Sequence, residues 1–190
     1  MHKYFPKVYC FVNEFNPKEL STINKNIGII YRNYTKKVDE KTLISLKNYC
    51  KKNNQKVFLA NNLKIAKKLS FDGVYIPSFN KMLNTKNISK TIKFEIIGSA
   101  HNEIDIKIKE KQGCSTIFLA PTFKVIKNKN YLGILRFNKL ALSSDKKIIS
   151  LGGINETNIK KINLLICCGF AGISWVKKNG PSKLRPFLKF

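Results

Sequence analysis

Short, continuous apolar runs rich in β-branched and aromatic residues recur along the chain, separated by segments with helical periodicity. The runs KVYCFV (7–12), IGIIY (27–31), VFLA (57–60), GVYI (73–76), EIIG (95–98), TIFLA (116–120), IISL (148–151) and AGIS (171–174) predict eight strands. They are continuous rather than alternating, the pattern of parallel strands covered on both faces. Between them, residues 40–52 place Leu43, Ile44, Leu46 and Cys50 along one helical face, and residues 63–70 do the same with Ile65, Ala66 and Leu69. Three segments, LSFDGVYIP, KQGCSTIFLAP and CCGFAGISW, each carry a glycine (Gly73, Gly113, Gly169) where a left-handed helix cap is expected before the next strand.

Eight strand–helix units in 190 residues predict an α/β fold, a compact single-domain (β/α)8 TIM barrel spanning residues 1–190. A doubly wound open sheet is the alternative. Little chain follows Ser174, so the last helix is expected to be short or incomplete. In a barrel, ligands bind at the C-terminal ends of the strands. That rule selects Arg32, Asn61 and Asn62, residues 77–80, residues 99–102, residues 121–129, Gly152 and Gly153, and Ser174. The glycine pair in IISLGGINETNIKK stands at the seventh strand end, before a polar segment that reads as a helix start. It has two readings: a phosphate cradle that needs close backbone approach, or a tight turn that needs positive φ.

Composition narrows the function classes. At 43% hydrophobic and 11% aromatic residues, the chain has the composition of a folded domain. No apolar run reaches the roughly 18 residues of a membrane span. The N-terminal MHKYFPKVYCFVNEF lacks the uninterrupted apolar region of a signal peptide, so it reads as a first strand and the expected location is cytoplasmic, with no membrane partner. Five cysteines without CxxC spacing read as reduced thiols, and with only two histidines a structural zinc site is not expected. The net charge of +25 raises a nucleic-acid reading. The charge is nearly all dispersed Lys, with Arg only at Arg32, Arg136 and Arg185, so no specific nucleic-acid partner is expected.

Four stretches in order carry a family resemblance: LANNLKIAKKLSFDGVYIP (59–77), IIGSAHNEIDIKIKEKQGCSTIFLAP (96–121), ISLGGINETNIKKI (149–162) and CCGFAGIS (167–174). Together they resemble the thiamine-phosphate synthase and thiazole tautomerase family. The resemblance implies a transferase of thiamine biosynthesis that joins a pyrimidine pyrophosphate to a thiazole phosphate, so the implied partner is a small phosphorylated heterocycle. It implies a pyrophosphate contact at Arg32, substrate contacts at Asn61 and Ser99, and a thiazole-phosphate loop at Gly152 and Gly153. His101 reads as a catalytic or ligand-contacting group at a strand end, and Ser174 as a substrate contact. Lys124, Lys127 and Lys129 enter the loop after the sixth strand as candidate pyrophosphate contacts. The family's magnesium aspartates correspond to Asn62 and Asn80, so magnesium, if used, would rest mainly on the substrate's own oxygens. Two alternatives therefore stand beside the enzyme: a catalytically silent relative that binds or senses phosphorylated ligands, and a basic nucleic-acid-associated protein.

Overall fold

The computed structural model describes residues 7–34, 39–82, 94–125, 130–173 and 176. Eight parallel strands close into a barrel in sequence order: β1 (Val8–Val12), β2 (Ile27–Tyr31), β3 (Val57–Ala60), β4 (Gly73–Ile76), β5 (Glu95–Ala100), β6 (Thr116–Leu119), β7 (Lys147–Leu151) and β8 (Gly169–Gly172). β8 closes the barrel on β1 through Val8 with Phe170, Tyr9 with Ala171 and Cys10 with Gly172. The expected closed barrel is therefore present and the open sheet is not. The helices are α1 (Pro17–Ser21), α2 (Glu40–Lys52), α3 (Leu63–Lys68), α4 (Glu103–Lys111) and α5 (Gly133–Leu142). The expected last helix lies largely outside the described residues.

Side chains alternate between two cores. Inside the barrel, Tyr9, Phe11, Ile30, Phe58, Tyr75, Ile97, Phe118, Ile149 and Ala171 fill the lumen. The rings of Tyr9, Phe11 and Tyr75 all meet Phe118 edge-on, with Tyr9 at 5.0 Å from Phe118, and Phe11 also meets Tyr75 at 5.2 Å. Such geometry adds to the area buried by each ring. The opposite strand faces pack under the helices, where Val8, Ile29, Leu46, Ile76, Ile106 and Phe137 are among the buried residues.

Two sequence expectations need correction. β8 spans Gly169–Gly172, two residues earlier than the AGIS run, because pairing with β1 begins as the chain passes Lys7. Of the three glycines expected as left-handed caps, only Gly113 has positive φ. Gly73 and Gly169 instead open strands where a Cβ would run into the carbonyls of Glu95 and Lys7. The left-handed residue before β4 is Ser70, at φ 56°.

Candidate functional site

All eight strands run the same way, so their C-terminal ends surround one mouth. The residues just past β2 to β5 meet there. Arg32, after β2, donates its amide to Val12 (2.7 Å) and lays its guanidinium 4.6 Å from the centre of the Phe11 ring. The aromatic lumen thus supports the cation from below. Asn61, after β3, adopts φ 59°, a conformation Asn tolerates. Its Oδ1 accepts a hydrogen bond from Asn80 Nδ2 at 2.6 Å, which ties the β3 and β4 loops together.

Ser78, on the β4 loop, is central to this network. Its amide donates to Ser99 Oγ at 3.0 Å, and its hydroxyl lies 2.9 Å from His101 Nε2. The other ring nitrogen of His101, Nδ1, hydrogen-bonds the Ala120 carbonyl at the end of β6. A carbonyl only accepts, so Nδ1 carries the proton, and in the neutral ring Nε2 accepts from Ser78. His101 thereby links the loops after β4, β5 and β6. Its amide donates to Asp105 Oδ2 (3.1 Å), and Asn102 caps α4 through the Asp105 amide (2.9 Å). Beside Ser99, burial pushes the Tyr75 phenol up to about 12, which a hydrogen bond with Ser99 offsets only in part. It stays neutral at working pH.

Asn62 and Asn80 have other commitments. Asn62 Oδ1 caps α3 by accepting from the Ile65 amide at 3.0 Å. Asn80 Oδ1 accepts from the Met82 amide at 3.2 Å.

The Gly152–Gly153 pair has φ of 91° and 74°. A Cβ on Gly153 would strike the Phe123 carbonyl, and the Phe123 amide donates to the Gly152 carbonyl at 3.1 Å. The β6 loop is held against β7 by Thr122, whose hydroxyl receives a hydrogen bond from Ser150 (2.9 Å) and whose amide donates to Leu151 (2.8 Å). Both the positive φ and the close approach of the β6 loop therefore demand glycine. The polar segment that follows is not an α-helix. Asn158 reaches back to the Asn155 amide and the Gly153 carbonyl, and the chain then forms a 3-10 helix over Ile159–Leu164.

Among the lysines proposed for the β6 loop, Lys124 is exposed, with its backbone against Gly153. Lys127, Lys129 and Ser174 lie outside the described residues. Three features were given no individual role by the sequence reading. Tyr34 and Phe79 stand half-exposed or more across the mouth, with rings 5.5 Å apart in an edge-on pair. Ser78 carries no motif, and only its place in the loop after the fourth strand pointed to it. A cleft of about 610 Å³ opens beside the mouth between the β5 and β6 loops and the start of α5. His101, Asn102, Pro121, Tyr131 and Arg136 line it, so Arg136 shares a cavity with His101. A second cavity of about 350 Å³, lined by Lys47, Lys51 and Lys56, sits at the other end of the barrel, where β3 begins.

Residues 27–178 match the family model for thiamine monophosphate synthase. Among curated proteins, the thiamine-phosphate synthase of Prochlorococcus marinus subsp. pastoris is 33% identical over 126 residues, 64% of this chain and 35% of that protein. The one from Pelagibacter ubique is 28% identical over 172 residues, 86% of this chain and 81% of that protein. This chain spans 35%, 37% and 47% of the length of three Prochlorococcus marinus relatives. Among solved structures, thiamine phosphate pyrophosphorylase from Pyrococcus furiosus superimposes with a TM-score of 0.75 at 15% identity, covering 96% of this chain and 95% of that one. At that identity the likeness concerns the fold.

Proposed function

Because the chain belongs to the thiamine monophosphate synthase family, we propose that its mouth binds a phosphorylated thiazole and a pyrimidine pyrophosphate and joins them. The observation that carries this reading is the pair of hydrogen-bonded groups that tie the strand-end loops together at the mouth, Asn61 with Asn80, and Ser78 with both Ser99 and His101, in a mouth that also holds a cation resting on Phe11. In the reaction the thiazole ring nitrogen donates its lone pair to the pyrimidine's methylene carbon. The carbon–oxygen bond to pyrophosphate breaks, and its electron pair leaves with the pyrophosphate. No proton needs to move at the reacting atoms. The protein's work is to place the two partners and to stabilise the departing negative charge. Arg32 binds the pyrophosphate, with the exposed Lys124 as a second point charge. Gly152 and Gly153 give the thiazole phosphate close access to backbone, while Ser99 and His101 contact the pyrimidine.

Magnesium is the cofactor that the family implies, and the donor set does not fit it. Asn62 and Asn80 bring no charge, and their amide oxygens already accept backbone hydrogen bonds. Among the described residues no cluster of three His, Cys, Asp or Glu side chains is placed to hold a metal.

The same two amides favour a second reading, a relative that binds phosphorylated ligands without turnover. One experiment separates the two. The purified protein is incubated with hydroxymethylpyrimidine pyrophosphate and thiazole phosphate across a magnesium series, while thiamine phosphate, pyrophosphate and ligand binding are measured. The enzyme reading expects both products in equal amounts and their loss in Arg32→Met. Binding without product supports the silent relative, and absence of both binding and product rejects the site.

A further inference from the structure

Lys109 lies on α4, away from the mouth, and is fully buried. Its stem passes over Gly98, where a Cβ would meet Lys109 Cδ and Cys114 Sγ at 2.9 Å and the Ile76 carbonyl at 3.0 Å. Its ammonium donates to the Pro77 carbonyl (2.9 Å), the Asn80 carbonyl (2.8 Å) and Gln112 Oε1 (2.9 Å). An ammonium has three hydrogens, so all are used. Gln112 Nε2 also donates to the Asn80 carbonyl, at 3.2 Å. Burial lowers the pKa of Lys109, while Cys114 and Asp105 act to raise it and Lys81 to lower it. A buried charge is costly, and an apolar residue at this helix position would avoid the cost. What the ammonium supplies is a cage for two backbone carbonyls at either end of the loop after β4. That loop carries Ser78, which contacts Ser99 and His101, and Asn80, which contacts Asn61.

We propose that Lys109 is a positioning residue for the mouth: its ammonium clamps residues 77–80 from beneath, so that Ser78 and Asn80 are presented to the ligand in one arrangement. The proposal rests on the mouth being the ligand site, but the clamp is testable without turnover. Gly98 belongs to the device, because only a residue without Cβ leaves the lysine stem its path.

The test combines ¹⁵N NMR of the imidazoles, assigned with a His2→Gln variant, with turnover. In the wild type, His101 should show a protonated Nδ1 and a hydrogen-bonded acceptor Nε2. Lys109→Met keeps most of the stem volume and removes the donors. In it, the Nε2 signal should move toward that of a free acceptor as Ser78 withdraws, and kcat/KM should fall roughly a hundredfold. In Lys109→Ala, added propylammonium should restore both readouts, whereas Lys109→Met should not respond to it. Gly98→Ala, which crowds the stem and leaves the ammonium, should shift the same Nε2 signal in the same direction and covers the case in which Lys109→Met does not fold. If the wild type makes no product, the NMR arm still decides the clamp. An unchanged His101 spectrum in folded Lys109→Met, or in Gly98→Ala where Lys109→Met does not fold, would overturn it, as would a loss of stability alone.

Discussion

Several polar side chains at the mouth turn out to be doing structural chemistry, which changes how they should be tested. Asn62 is an N-cap, so Asn62→Ala should lower stability by about 1 kcal/mol in urea unfolding, while Asn62→Asp keeps the cap and the stability. If Asn62→Asp instead raised magnesium affinity, its oxygen would have left the helix for the mouth. Gly153 admits no side chain: Gly153→Ala meets the Phe123 carbonyl at a φ that disfavours a Cβ. Weakened ligand binding in that variant therefore would not identify phosphate. The cleaner measurement compares thiazole phosphate with the unphosphorylated thiazole on the wild type, where binding tighter by about tenfold or more is expected. The cysteines follow burial. Burial pushes the Cys50 and Cys114 thiols up to about 12, so both are neutral at pH 8, far below that value. Cys168 is exposed, so a thiol-specific reagent at pH 8 should label Cys168 promptly and Cys50 and Cys114 only on unfolding.

Strands were legible because a parallel barrel strand is buried on both faces and so is written as an unbroken apolar run. β2, β3 and β4 follow the runs residue for residue, and the other ends differ by up to two residues. α4 was less legible. Ile104 and Ile108 look like the inward stripe of EIDIKIKEK, yet Ile104 is 71% exposed, and the buried positions are Asp105, Ile106 and Lys109. A lysine on a buried face reads as solvent-facing until its acceptors are seen, and those come from a loop about thirty residues earlier in the chain. The loop after β6 makes a further prediction. Thr122→Val keeps the shape and removes the hydroxyl that receives Ser150, leaving a buried donor without its partner. The expected cost is about 1–3 kcal/mol, with a slackened glycine loop seen as faster amide exchange at Phe123.

For the molecule as a whole, the charge of +25 comes from lysines spread along the sequence with only three arginines, so the expectation is a non-specific field. Duplex DNA and RNA should bind weakly and lose affinity steeply between low and physiological salt, as a fluorescence titration would read. Sequence-selective binding at physiological salt would overturn this. No described helix is long and apolar enough to cross a membrane. The eight strand–helix units and the residues at the strand ends were present in the amino-acid pattern, because hydrophobic periodicity and the handedness of such units leave few arrangements, whereas the pairing of β8 with β1 decided for the closed barrel over the open sheet. The strand-end rule placed Arg32, Asn61, Ser99 and His101 at the mouth, and the family resemblance supplied the contacts expected of Arg32, Asn61 and Ser99. What each does there depended on partners distant in the chain: Phe11 beneath Arg32, Ala120 and Ser78 on either side of His101, Ile65 holding Asn62, and Lys109 under the β4 loop. Pattern records which face of an element is buried, whereas a hydrogen bond depends on the distance and direction of single atoms, and these exist only once the barrel has closed.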